Sequence, residues 1–281
     1  MTAIISTAYS RYLGDELRRL RESCTSFNGR AMAIHLGWDP SKVSNIEHGK
    51  ARATEVDLAQ FMATCGKDLH YLEEFRQRYY KAFDTCVTAR SDNLRMIVMS
   101  EATATKIYSY DVLTVHGLVQ TARYARALFV DAQIEAPEDI EGHVQARMER
   151  QTVLRKVYRP ECVFYVHELA LRRRLGDAQL MKEQYLRLLH RTHVFRIVPD
   201  TVSTFHSPYQ LFEFGKASPV VYTETDMAQV WAQDATVVAR ARKHFQRLDA
   251  VALGEEQSRS LLMEYVGDLR DELDEPEMGV A

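Results

Sequence analysis

Cysteine is scarce and scattered in this chain. Its four thiols, Cys24, Cys65, Cys86 and Cys162, form no CxxC pair, which speaks against both a zinc ligand set and a disulfide framework and reads as reduced cytoplasmic thiols. No apolar run nears the roughly 20 residues that a bilayer-spanning helix needs. The short apolar start, Met1 to Ile5, has neither a basic flank nor a cleavage site, so no membrane contact is expected and the localisation reads as cytoplasmic. Glycine (12) and proline (7) are few among the 281 residues, and no repeat or low-complexity segment interrupts them. Catalytic signatures are also missing: there is no GxSxG, no P-loop and no dinucleotide fingerprint. His167-Glu168 lacks the second histidine of a zinc-protease helix and reads as a strand end and helix start. His190 and His193 stand three apart, with no further ligand placed to complete a shell. No catalytic residue, metal or cofactor is therefore assigned, and the chain is not expected to be an enzyme.

What is present is the composition of a folded protein, 46% hydrophobic and 27% charged, long enough for two domains of ordinary size. A net charge of −3 excludes a general nucleic-acid coat, so any DNA contact has to come from a local concentration of positive charge. The head supplies one. Between Met1 and Ala53 the basic residues Arg11, Arg18, Arg19, Arg21, Arg30, Lys42, Lys50 and Arg52 outnumber the acidic Asp15, Glu16, Glu22, Asp39 and Glu47, whereas acidic residues dominate from Glu264 onward.

Five helices are predicted in the head. Leu13, Leu17 and Leu20 lie at helical spacing within Leu13 to Cys24. Asn28 can cap a second helix that stops at Gly37. Asp39 can cap a third, with Pro40 as its first residue and Gly49 at its end. Thr54 caps a fourth to Cys65, and an aromatic fifth runs from Asp68 to about Phe83. The polar segment Asp84 to Asn93 has no clear apolar period, which sets the domains at 1–84 and 93–281. Beyond it, Lys106 to Tyr110, Cys162 to Val166, Val194 to Val198, Tyr209 to Phe214 and Val220 to Tyr222 read as strands. Helical patterns at Leu118 to Val130, Ile140 to Leu154, Leu180 to Leu189, Met227 to Leu248 and Glu255 to Leu273 alternate with them irregularly. The fold class is therefore α+β, mostly helical, with a five-helix lambda-repressor-like helix-turn-helix domain followed by a mixed α+β domain.

The second and third helices carry the functional reading. Val43 and Ile46 point inward, leaving Ser41, Lys42 and Asn45 on the opposite face near the start of the third helix, where a helix-turn-helix meets base edges in the major groove. Arg30, Lys50 and Arg52 flank that face as phosphate contacts that position without specifying. Trp38 is expected to pack under the turn. The aromatics Tyr108, Tyr110, Phe164, Tyr165, Phe205, Tyr209, Phe212, Phe214, Tyr222 and Trp231 suit a ligand cavity, a plain core or a partner surface equally.

Through Ala33, Leu36-Gly37, Ser41-Lys42-Val43-Ser44-Asn45-Ile46-Glu47 and Gly49 the chain resembles the xenobiotic-response-element (XRE) family of phage-repressor-like regulators. Gly117 to Leu128, Arg147-Met-Glu-Arg-Gln151 and the strand-rich part to Val221-Tyr222 resemble the C-terminal domain of actinobacterial, antitoxin-like members. The resemblance implies a homodimer that binds a double-stranded DNA operator, often encoded beside a small partner protein. A small-molecule effector, or sequestration of a small partner with DNA binding for autoregulation, are the two forms of control it leaves open. Gly29 replaces a long polar residue that clamps a phosphate in the family, while Asn45 and Pro40 replace common Arg and Gln, so the operator differs from that of its relatives. The DNA contacts are assigned to Arg30, Pro40, Ser41, Lys42, Asn45, Lys50 and Arg52.

Overall fold

The computed structural model describes residues 6–84, 86–89, 94–133, 136–202, 207–225 and 228–274. The head is helical: α1 (Ala8–Cys24), α2 (Gly29–Leu36), α3 (Pro40–Glu47), α4 (Glu55–Thr64) and α5 (Leu69–Tyr80). Each starts at a polar cap, Thr7, Asn28, Asp39, Thr54 or Asp68, whose side chain accepts a backbone N–H of the first turn. α1 begins more than a turn before Leu13, because Thr7 and Ser10 close a reciprocal capping box that hydropathy does not report. Leu13, Leu17, Met32, Val43, Ile46, Phe61 and Phe75 bury almost completely between these helices.

Two expectations for the middle of the chain need correction. The polar segment after Asp84 contains a strand, β1 (Cys86–Ala89), and is followed by α6 (Leu94–Thr103). β1 owes its conformation to antiparallel pairing with a distant strand rather than to a pattern of its own. The second domain continues with β2 (Lys106–Asp111), a 3-10 turn at Gly117–Val119, α7 (Ala122–Ala132), α8 (Ile140–Arg150), β3 (Glu161–His167), α9 (Glu168–Arg172), α10 (Ala178–Leu189), β4 (Phe195–Val198), β5 (Tyr209–Glu213), β6 (Val220–Glu224), β7 (Gln229–Ala232), α11 (Ala235–Val251) and α12 (Glu255–Asp274). The helix expected over Met227 to Leu248 is thus a strand and a shorter helix. Asp234 separates them, because its carboxylate accepts the N–H groups of Thr236 and Val237 and fixes the helix start there. Met227 and Phe205 lie outside the described residues. His167 does end a strand, and its ring caps α9 through Leu169 N–H.

The sheet has the order β1-β7-β6-β5-β2-β3-β4, with β2, β3 and β4 parallel and the other pairs antiparallel. Both faces are covered, which is why its strands read as continuous apolar runs. Alternation along each strand sends Ile107, Phe164, Phe212 and Tyr222 to one side. Tyr110, Tyr165, Leu211 and Val221 go to the other, where α11 packs Val238, Phe245 and Leu248 on them. The first of these cores runs without a break into the helical head. α1 makes the junction: it packs against α6, Ala8 N–H donates to Gln233 Oε1, and the Arg11 guanidinium lies 5.4 Å from the Phe214 ring centre. No helix among the described residues is long and apolar enough to cross a membrane.

Candidate DNA-reading face

The turn between α2 and α3 is built from local chemistry. Asn28 Oδ1 accepts Ala31 N–H at 2.9 Å. At the other end Gly37, with φ 68°, lets its own N–H reach Ile34 O at 3.1 Å and Trp38 N–H reach Ala33 O at 2.8 Å, the paired bonds of a Schellman close. Asp39 Oδ1 then accepts Ser41 N–H at 2.7 Å, and Pro40 occupies the first helical position, where no N–H is needed. The exposed Asp39 carboxyl is held below its usual range by the side chain and backbone N–H of Ser41.

α3 is fixed from behind by α1. A Cβ on Gly14 would stand 2.5 Å from Glu47 O, so the two backbones touch where α1 crosses the end of α3. Gly49 combines φ 63° with a Cβ position only 2.4 Å from the Ser10 backbone, and its carbonyl accepts Ser10 Oγ at 2.8 Å. Behind these, Arg21 and Glu47 form a two-pronged ion pair, Nε to Oε1 at 2.7 Å and Nη2 to Oε2 at 2.9 Å. Both side chains are under a tenth exposed. Arg21 Nη1 also donates to Phe27 O at 3.0 Å. Hydrogen bonding to Glu47 raises the Arg21 pKa against the opposing effect of burial. The C-terminal end of α3 is thus braced against α1.

That bracing presents Pro40, Ser41, Ser44 and His48 to solvent, with Asn45 half-buried at the border of the same face. Arg30 at the start of α2 and Lys50 just beyond α3 are exposed. Two of the basic residues expected on this face point elsewhere. Lys42 donates to Asp57 Oδ1 at 2.6 Å and sits 4.4 Å from the Trp38 ring centre. Burial raises the Asp57 carboxyl, but Lys42 and the Thr54 N–H and hydroxyl outweigh it and hold it low. Arg52 donates to Tyr80 O at 2.7 Å and lies against Phe83, 5.4 Å from its ring centre. Trp38 packs half-buried under the turn and donates to Gln60 Oε1 at 3.3 Å. Ser44 and His48 escaped the sequence reading, although their spacing of three and seven from Ser41 is the helical signal that places all three together. His48 is oriented by its own helix, with Nδ1 2.6 Å from Ser44 O.

The arrangement can do what a major-groove reader requires: it offers short hydroxyls, an amide and an imidazole on a rigid convex helix, with cations at the rim. Among the described residues no group of three or more His, Cys, Asp or Glu side chains is placed to hold a metal. The family described as "Helix-turn-helix domain" matches residues 12–75, and the family described as "Domain of unknown function (DUF5753)" matches residues 94–264. Neither a curated protein nor a solved structure matches the chain.

Proposed function

Because the chain belongs to the family described as "Domain of unknown function (DUF5753)" and carries a helix-turn-helix domain, we propose that it is a one-component transcriptional regulator of the XRE, antitoxin-like type. In this reading it works as a cytoplasmic homodimer: the head reads an operator, and the C-terminal domain answers to a small molecule or a small partner protein. No catalytic step is assigned to it. The observation that carries the reading is the clamped α3, whose buried side is fixed to α1 by Gly14, Gly49 and the Arg21–Glu47 pair while its outer side stays polar and open.

Base selection falls to Ser41, Ser44, Asn45 and His48, with Pro40 shaping the approach. Lys42 joins them by leaving Asp57, whose other oxygen keeps the bond from Thr54 N–H at 3.0 Å. Asn45→Ala should weaken binding to the operator by about 1–3 kcal/mol and relax preference at one position. Titrations on the operator and its single-base variants check this, and an equal loss on unrelated DNA would make Asn45 a backbone contact instead.

Arg30 and Lys50 neutralise phosphates, and Arg52 mainly secures α5. Arg30→Ala and Lys50→Ala should each weaken binding on every sequence and reduce the slope of log K against log salt by about one unit, while Arg52→Ala leaves the slope nearly unchanged and lowers stability. Salt titrations of the three variants separate the roles. An unaltered slope in the first two would move the phosphate contacts off this rim.

A further inference from the structure

A cavity of about 420 Å³ opens in the C-terminal domain between α6, α7, α8, the segment after β2 and the ends of β5 and β6, within the size range of small-molecule sites. Of the described aromatics singled out in the sequence, Tyr209 and Tyr222 line it; Tyr110, Phe164, Tyr165, Phe212 and Trp231 pack in the two cores. Its polar lining includes a buried hydroxyl with no partner.

His116 is 2% exposed, stacked on Phe164 with ring centres 4.3 Å apart. Its Nδ1 accepts Leu118 N–H at 3.3 Å, and burial, then the charge of Arg150, pushes the imidazole down to about 3. The neutral ring therefore carries its proton on Nε2, and that N–H faces Gln210. The Tyr222 hydroxyl, 2% exposed, likewise faces Glu224. The Tyr209 hydroxyl is buried with no partner. Buried polar groups are normally satisfied, so this hydroxyl marks the place of a missing partner.

The two arginines of the cavity differ. Arg150 is charge-paired with Glu101, its Nε and Nη2 donating at 3.0 and 2.7 Å. Arg147, one turn earlier, donates once, to Gln120 Oε1 at 3.0 Å, and is held flat with its guanidinium carbon 4.4 Å from the Phe129 ring centre. Among the described residues it forms no ion pair. Burial, then the charge of Arg150, lowers it to about 10, which leaves it cationic at neutral pH. The open functions are thus donors, namely the Arg147 fork and the Tyr209 phenol, beside apolar walls from Ile97, Leu128 and Phe129. Two acids bound the charge the cavity tolerates. Glu224 stands at its rim, and Asp111, bonded by Ser109 at 2.9 Å, is pushed up to about 7 by burial.

We propose that this cavity binds a small organic monocarboxylate, its carboxylate on Arg147 and the Tyr209 hydroxyl and its apolar body against Phe129 and α6. A single open cation flanked by Asp111 and Glu224 suits one negative charge and disfavours a phosphate dianion. That the acid acts as effector rests on the regulator reading above; its binding does not. The route would be short, since α6, which supplies the cavity floor, packs on α1, and α1 braces α3.

The test uses the full chain without DNA: thermal unfolding and calorimetry with benzoate, hexanoate and indole-3-acetate at millimolar concentration, against benzamide and phenyl phosphate. At least one carboxylate should bind saturably and raise Tm, with the amide and the phosphate weaker by about tenfold or more, as expected when a charge-assisted bond is lost. Arg147→Met should lose that binding, Arg147→Lys retain part of it, and Tyr209→Phe, which removes one hydroxyl only, weaken it severalfold. No stabilisation by any of the three acids, equal binding by folded Arg147→Met, or preference for the phosphate would overturn the assignment. Repeating the DNA titration with the bound acid then tests the effector role alone: unchanged DNA affinity upholds the cavity and removes that role.

Discussion

Arg21→Ala should destabilise the helical head by about 3–5 kcal/mol. The substitution leaves the Glu47 carboxylate enclosed between α1 and α3 with both of its charge-assisted bonds gone and its side chain only 5% exposed. An uncompensated buried charge has no inexpensive remedy: it must ionise without a partner, take up a proton, or pull α3 away from α1 to reach water. The last course breaks the contact of Gly14 with the Glu47 carbonyl and of Gly49 with Ser10, so DNA binding should fall together with stability. Replacing both partners, Arg21→Met with Glu47→Leu, should restore most of the loss, because an apolar pair of similar volume carries no desolvation penalty. Urea unfolding followed by circular dichroism gives both numbers. A loss below about 1 kcal/mol in the single variant would mean that the pair does not brace α3.

The second large effect is on DNA. One helix-turn-helix reads only a few base pairs, whereas a two-fold dimer reads two half-sites about 34 Å apart or a multiple of that. Once one head is seated, the other meets its half-site at the effective concentration set by the assembled C-terminal domains, so affinity should exceed that for a single half-site by roughly 10²–10⁴-fold. The head buries most of its apolar side chains in its bundle and at the junction with α6 but leaves Ile34, Val56, Leu69 and Tyr80 exposed; the proposed dimer places the contact between copies in the mixed domain. Sedimentation of the full chain, with anisotropy titrations on duplexes bearing one or two half-sites, decides the matter. A monomer in sedimentation, or equal affinity for both duplexes, would refute the dimer.

The legible parts of the fold were those set by neighbours in sequence. Asn28, Gly37, Asp39 and Pro40 act within a few residues of themselves, so the bounds of α2 and α3 followed from the chain alone. β1 did not, because its strand identity comes from Ala232, Trp231, Val230 and Gln229 on the far side of the sequence. β7 was hidden by the same dependence and by the helical run that follows it. Within the candidate face, the exposed position of Ser41 and the half-buried one of Asn45 could be placed by helical phase. The turning of Lys42 toward Asp57 and of Arg52 toward Tyr80 could not, since both depend on how α4 and α5 pack. Arg147 looked like any charge on a helix; its place beside Phe129 and Gln120 needs the tertiary structure to be seen.

Whether the outer face of α3 reads DNA sequence is decided by incubating the purified full chain with a random duplex pool at near-physiological salt and sequencing what is retained. One recurrent, two-fold symmetric motif should be enriched, and preference at a defined position of each half-site should be lost when the selection is repeated with Asn45→Ala. Retained DNA indistinguishable from the input pool, or a motif unchanged by substitutions at Ser41, Ser44, Asn45 and His48, would contradict that role of α3.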